Sequence, residues 1–345
     1  MHVAATNLDY LVARLHGRRS RLAEEERLEP LCRLSTLSEL SRAVLPGADL
    51  ASAALLQRGL LQALLREWSE IAAQLDGAAA AWMAWLPVRF QVENLKVLAR
   101  GVVSRTPWAR LREHLVALPD DLALDAAALL AASDLEAFAA RLPAGRWNGG
   151  RRKVSEPGRP GAGLLLLEAA LDGGYFQELL ARTALLPAAE QETVRPLVSQ
   201  EVAGFLLMLA VRGRFWYQLP AAVLAPLHVR GGGVTPERFA ALLAAPDLAA
   251  AAGLAVGQAI DALPAGQEPV PALLEALVWS RFRRLANQAF RRRPLGFGAV
   301  AGYAGLRRVE TANLITVSEG IRLGLPAGAI RARLIPRAHW EATDV

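Results

Sequence analysis

Apolar positions along the chain recur at helical intervals rather than strand intervals. Leu55, Leu56, Leu60, Leu61, Leu64, Leu65 and Trp68 fill a broad face with a period of about 3.6 residues. Leu8, Leu11, Leu15 and Leu22 line one side of an earlier segment that Thr6 and Asn7 are placed to cap. Thr106-Pro107 and Thr235-Pro236 each read as an N-cap followed by proline in the first helical turn, where a missing N–H costs nothing. Glu237 then sits at the positive end of the helix dipole. No stretch alternates β-branched and polar residues as a strand would. The pattern predicts an all-α protein.

One pattern occurs three times. Leu31-Cys-Arg-Leu-Ser35-Thr-Leu37 returns as Leu129-Leu-Ala-Ala-Ser133-Asp-Leu135 and as Leu242-Leu-Ala-Ala-Pro246-Asp-Leu248. Each reads as a helix end, a residue that starts a new helix (Ser35, Ser133 or Pro246), and a leucine two positions on. A second element keeps the rhythm. Asn94-Leu95 leads to Gly101, and Asn313-Leu314 leads to Gly320, at the same interval of seven. The middle counterpart, at Gly204-Phe205, lacks the Asn-Leu pair. The expectation is three helical units at 1–105, 106–219 and 220–345, with a mobile loop near 143–163 rich in Gly, Pro and Arg.

Composition agrees with the pattern. Of 345 residues, 53% are hydrophobic but only 6% aromatic, and the excess is Ala and Leu, the strong helix formers. No apolar run reaches the roughly 20 residues a membrane span requires. Val202 to Val211 stops at Arg212, and Leu242 to Leu263 is broken by Asp247, Gln258 and Asp261. The early Asp9, Arg14, Arg18 and Arg19 do not suit a signal peptide, so the expectation is a soluble cytoplasmic protein. A single cysteine, Cys32, excludes an intrachain disulfide and sits in the apolar series Leu28, Leu31, Leu34, as a buried thiol would.

Residues with catalytic potential do not assemble into a motif. His2, His16, His114, His228 and His339 are scattered, with no metal-ligand spacing. Gly231-Gly232-Gly233 lacks the Gly-Lys-Ser/Thr ending and the preceding strand of a phosphate loop, so it reads as a turn before a capped helix. In Gly296-Phe-Gly298-Ala-Val-Ala-Gly302 the small residues read as a close approach between helices rather than a dinucleotide fingerprint. No catalytic residue, cofactor or metal is expected. The net charge of +6 is carried by arginine, concentrated at Arg281, Arg283, Arg284, Arg291, Arg292 and Arg293. No aromatics interleave there to form a single-strand platform, so no nucleic acid is expected as partner.

Tyr10-Leu-Val-Ala-Arg14 with Arg18-Arg19-Ser20-Arg-Leu22 resembles the opening of the C subunit of the V/A-type rotary ATPases, the d subunit of eukaryotes. Pro294-Leu-Gly-Phe-Gly298, Gly302-Tyr303, Glu310, Asn313-Leu314, Gly320 and Gly324-Leu-Pro326 resemble that family's final unit, and Glu93-Asn94-Leu95 its first. The resemblance implies a funnel of three pseudo-threefold-related helical units on the cytoplasmic face of the membrane. It implies two partners, the proteolipid ring and the central axle subunits, between which the protein transmits torque without catalysing anything. The membrane would then be adjacent through the ring rather than entered. Arg100, Arg212, Arg307 and Arg308, which flank the repeated helices and their glycine turns, are the candidate partner contacts. The rival reading is a free-standing helical-repeat scaffold for another protein, which predicts an elongated superhelix.

Overall fold

The computed structural model describes residues 4–142 and 161–335. Most of the expected loop, together with His2 and His339, lies outside the described residues. Among the described residues helix is the only extended secondary structure, with one isolated bridge between Val256 and Ile260. The chain is all-α, as the apolar period predicts.

The helices are α1 (Ala4–Arg19), α2 (Leu28–Cys32), α3 (Leu37–Val44), α4 (Ala53–Ala72), α5 (Gly77–Trp85), α6 (Val88–Ser104), α7 (Trp108–Leu111), α8 (Ala126–Leu130) and α9 (Leu135–Ala140). After the undescribed residues come α10 (Ala162–Ala184) and α11 (Ala188–Ala210), which runs on into a π-helical segment, Val211–Trp216. Then follow α12 (Ala221–Leu224), α13 (Pro236–Ala244), α14 (Leu248–Ala255), α15 (Pro271–Arg292), α16 (Phe297–Arg322) and α17 (Ala327–Arg331). They form two compact units, one of Met1–Ala84, Leu186–Leu197 and Trp279–Val345, the other of Trp85–Leu185 and Val198–Val278.

In the first unit α16 packs along α4 and α1, and α17 packs on α2. Its core joins Leu28, Cys32, Leu40, Leu56 and Leu60 to Leu314, Val317, Ile330 and Leu334. Cys32 is buried as its apolar setting predicts, and burial pushes its thiol above the ordinary range, which keeps it protonated and unreactive. In the second unit α6 packs along α10. There the Trp85 ring stacks on Tyr175 at 6.1 Å, and its indole N–H donates to the Tyr175 carbonyl at 3.1 Å.

The three short helices that open each copy of the leucine pattern are capped one residue later than the sequence suggests. The caps are Thr36, Asp134 and Asp247, and Leu37, Leu135 and Leu248 begin the helices. Thr36 has the extended backbone of an N-cap and accepts from Glu39 N–H, while the Glu39 carboxylate accepts from the Thr36 N–H, a reciprocal capping box. Asp134 and Asp247 accept from Ala137 and Ala250 N–H at 2.8 and 2.7 Å. Ser133 donates to Asp134 instead of capping, because the carboxylate next to it is the stronger acceptor. Thr235 does cap α13, whereas Thr106 does not cap α7; its hydroxyl pairs with Ser104 at 2.6 Å and Pro107 takes the cap position. Thr6 and Asn7 lie inside α1, which begins at Ala4.

By length and composition Ala188–Trp216 could cross a bilayer, but 67% of its most apolar window is buried in the fold, where those residues serve as core. The small residues of α16 do allow a close approach. A Cβ on Gly302 would lie 2.5 Å from the Phe290 amide nitrogen and 2.6 Å from the Ala286 carbonyl oxygen of α15. Backbone cannot swing aside as a side chain can. Gly302→Ala is therefore expected to lower unfolding stability by about 1–3 kcal/mol through overpacking. Gly305→Ala, whose Cβ would meet the Ala286 and Phe282 side chains at 3.1 Å and beyond, costs less. Thermal or urea unfolding of the two variants checks the order.

Candidate functional site

Three long helices, α6, α11 with its π-helical extension, and α16, end in the same way. Near the end of each stands a glycine, Gly101, Gly213 or Gly320, against which the next short helix places a branched side chain. A Cβ there would meet Leu111 at 2.4 Å, Leu224 at 2.6 Å and Ile330 at 2.5 Å. Two residues before the following proline the backbone turns left-handed, at Arg105 (φ +52), Gln218 (φ +53) and Gly324 (φ +65). Pro107, Pro220 and Pro326 then start α7, α12 and α17, and the packed Leu or Ile follows each proline by four positions. In the outer copies Thr106 N–H donates to Gly101 and Leu325 N–H to Gly320, the six-to-one bond of a Schellman turn. In the middle copy the glycine and proline are one residue farther apart, and the bond runs from Leu219 to Gly213, one residue longer. The π-helical turn at Val211–Trp216 absorbs that extra residue.

Two of the three copies carry an asparagine clamp. The Asn94 amide donates to the Val116 carbonyl and accepts from the Val116 N–H, both at 2.8 Å. Asn313 does the same to Ile335, at 2.9 and 2.8 Å, and each partner lies 22 residues downstream. Both asparagines are buried. Seven residues before the joint glycine of the middle copy stands Leu206, fully buried, so aligning on the glycine places Leu206 rather than Gly204 opposite the clamps. Gly204 instead makes room for a neighbouring helix, since a Cβ there would meet Val278 of α15 at 2.4 Å. Five residues before each clamp an arginine lies over two rings, Arg89 over Tyr175 and Phe176, Arg308 over Trp279 and Phe282.

The helices α4, α10 and α15 begin at Ala53, Ala162 and Pro271, 109 residues apart each time. A joint-bearing helix packs along α4 and another along α10, and α11 touches α15. α16 lies on α4, where Gln57 donates to Ser318 and Glu319. α6 lies on α10, where Lys96 grips both Asp172 oxygens at 2.7 and 2.8 Å and Arg100 meets Glu168 at 2.7 Å. The Gln200 amide of α11 donates to the Val278 carbonyl of α15 at 3.1 Å. On the α4–α16 seam, Glu67 accepts from Tyr303 at 2.7 Å, Arg307 at 2.9 Å and Arg18 at 2.9 Å, while Arg307 also bonds Glu310 at 2.6 Å. Burial, with Glu67 beside it, pushes the Tyr303 phenol far above its ordinary range, so it is a permanent donor. Burial also raises Glu310 against the pull of Arg307. Around Glu93 burial works against the charge, but Arg89, Lys96 and Arg100 together hold its carboxyl below the usual 4.5.

Of the candidate contacts, Arg100 is half-exposed with its guanidinium on Glu168, and Arg212 is exposed on the π-helical turn. Arg307 is turned inward onto Glu67 and Glu310, and Arg308 lies over its two rings. Sequence reasoning missed the joints, although their signal was present as Gly, then Pro six or seven residues on, then Leu or Ile after four. Gly232 is needed for packing, since a Cβ there would lie 2.3 Å from Val202. Among the described residues no three His, Cys, Asp or Glu come together as a metal site.

The family model described as ATP synthase (C/AC39) subunit matches residues 11–333. The chain belongs to that family. Its resemblance to the C and d subunits of the V/A-type ATPases is thereby borne out across nearly its whole length. A curated relative, the C subunit of the A-type ATP synthase of Haloquadratum walsbyi, is 27% identical over 205 residues. That match covers 55% of this chain and spans 58% of the relative's length. In this C/AC39 member several of the residues that carried the resemblance, Glu93-Asn94, Glu310, Asn313, Gly320 and Pro326 among them, belong to the clamps, seams and joints.

Replacing Asn313 or Asn94 by alanine leaves a backbone N–H and C=O without their partner. Each variant is expected to lose about 1–3 kcal/mol in urea unfolding. Glu93 has a folded value below 4.5, so it contributes stability above that pH which is lost as pH falls through the folded value. Glu93→Gln is accordingly expected to show a shallower loss of stability than the parent as pH falls from neutral through the folded value of Glu93, read from melting temperature against pH.

Proposed function

We propose that this C/AC39 family member is the central-stalk rotor connector of a V/A-type rotary ATPase. It joins the membrane proteolipid ring to the central axle and transmits torque between them, coupling proton or sodium transport to ATP synthesis or hydrolysis. It is non-catalytic, and it sits peripherally at the cytoplasmic face, reaching the membrane through the ring. We further propose that 1–105, 106–219 and 220–345 are three helical units in pseudo-threefold order.

The observation that carries this reading is the threefold recurrence of the joint. The third copy's helix lies on α4 and the first copy's on α10, while the second copy's touches α15 through Gln200 and Gly204. Repetition of one tightly packed joint suits a rotor part, which must resist twist. Buried ion pairs, ring-stacked arginines and close glycine contacts supply stiffness, because packed interiors have low compressibility. Arg100 and Arg212, the exposed candidates, are proposed as contacts to partners; Arg307 and Arg308, turned into the fold, are not.

Tagged protein purified from its native membranes in mild detergent is expected to bring down a proteolipid ring and axle subunits. Recovery of the protein with neither, from membranes that retain their ATPase, would leave the free-standing scaffold as the better account.

A further inference from the structure

The turn between α15 and α16 carries more positive charge than the fold uses. Five residues in a row, Arg291-Arg292-Arg293-Pro294-Leu295, are exposed. The Arg291 and Arg292 side chains make no hydrogen bond or ion pair among the described residues, and Arg293 has the exposed Glu192 at 3.8 Å. Leu295, at the tip, is 64% exposed. The helix dipole favours Arg291 and Arg292 in the last turn of α15, but it gives no reason for Arg293 and Leu295 beyond the helix end. Nor does a turn of this kind require them. Leu185 is as exposed, at 72%, just after α10, yet the last turn of α10 has Arg182 as its basic residue, and Arg182 is paired with Glu178.

The turn is pinned from two sides. The His16 ring of α1 lies 4.5 Å from Phe290, and its Nε2 meets the Pro294 carbonyl at 3.1 Å. From α11 the Glu190 carboxylate accepts from Gly298 N–H at 2.9 Å, satisfying a free donor at the start of α16. A Cβ on Gly296 would lie 2.8 Å from Glu190 Oε1, so the carboxylate closes over the turn. A surface already ordered in this way loses little entropy when a partner binds it. Its chemistry sets the partner. An apolar side chain beside three guanidinium groups matches an apolar site rimmed by carboxylates, and the planar fork of arginine pairs with a carboxylate through two parallel bonds. A bilayer suits the turn less well. Each arginine near an anionic lipid surface strengthens binding only about fivefold, so three of them with one leucine fall short of even a single acyl chain.

We infer that the α15–α16 turn is a docking point for an acidic segment of another protein, with Leu295 as its apolar anchor and Arg291, Arg292 and Arg293 paired to the partner's carboxylates. The inference stands apart from the rotor reading.

The test places a photo-crosslinking phenylalanine analogue at Leu295 of the full chain in its native cells, with Leu254 and Val270, exposed apolar residues elsewhere, as controls. Position 295 is expected to give a protein adduct that the controls do not, and the crosslinked peptide is expected to carry two or more Asp or Glu residues. The combined Arg291→Glu and Arg292→Glu variant is expected to lower the yield at least about tenfold, with thermal unfolding unchanged. Replacing the acidic residues of the identified peptide by arginine is then expected to restore the adduct to that variant. An adduct to lipid, to nucleic acid or to a second copy of this chain would overturn the inference. So would a peptide without carboxylates, a yield that survives the charge reversal, or no adduct at all. Each of these leaves the rotor reading intact, since that reading is decided by what the unsubstituted chain brings down from the membrane.

Discussion

The fold depends on a steric exchange at the end of three long helices. A glycine gives up its side chain so that a leucine or isoleucine from the next short helix can occupy the space. A Cβ at Gly101, Gly213 or Gly320 would lie within 2.6 Å of that partner, so the short helix could not dock as it does. Docking in turn requires the chain to reverse over a few residues, which forces a left-handed residue before each proline. At Gly324 this costs little. At Arg105 and Gln218 a Cβ must be carried into that region, a strain of about 1–2 kcal/mol each. That strain persists only because the packed leucine and the backbone bond that closes each turn over-determine it.

From the joints the remaining interactions follow in order. Once α16 ends just beyond Gly320, the chain that follows packs α17 on α2, and Asn313 can reach the backbone of Ile335. The same helix lies along α4, so the last helices of the chain share a core with the first. Nothing covalent holds that seam. It is held by apolar packing and by Glu67, which gathers Tyr303, Arg307 and Arg18 into one cluster. Buried charges of this kind contribute little net stability after desolvation, but they tolerate few alternative registers. The seam between the chain's beginning and end is thus specified by polar geometry as well as by apolar area.

The all-helical class was legible because it rests on a periodic signal repeated in every segment. The triplicate leucine pattern was equally legible, but its caps were read one residue early. At Ser35 and Ser133 the hydroxyl looked sufficient, and only the backbone angles show that the neighbouring Thr36 and Asp134 occupy the extended position. Asn94 and Asn313 stood out by their spacing, yet the partners that give them meaning lie 22 residues away in segments without a motif of their own. Arg307 and Arg308 looked like surface charge because sequence shows a residue's neighbours in the chain and not the carboxylate or ring facing it across a seam. The middle joint was missed for a more specific reason. Its extra residue breaks the spacing that fixed-interval comparison depends on.

That extra residue also shows what the architecture tolerates. The middle copy lacks the asparagine clamp, with Leu206 at that place, and has one more residue between glycine and proline. It has kept the glycine, the left-handed turn, the proline and the packed leucine. An insertion in a helix ordinarily shifts every later side chain by about 100° and would have turned Gly213 away from Leu224. Confining the insertion to a π-turn localises the shift and restores the face. The copy therefore does without a buried polar contact worth a few kcal/mol at most and has the same steric fit. The fit, more than the clamp, is the constraint under which all three joints are built.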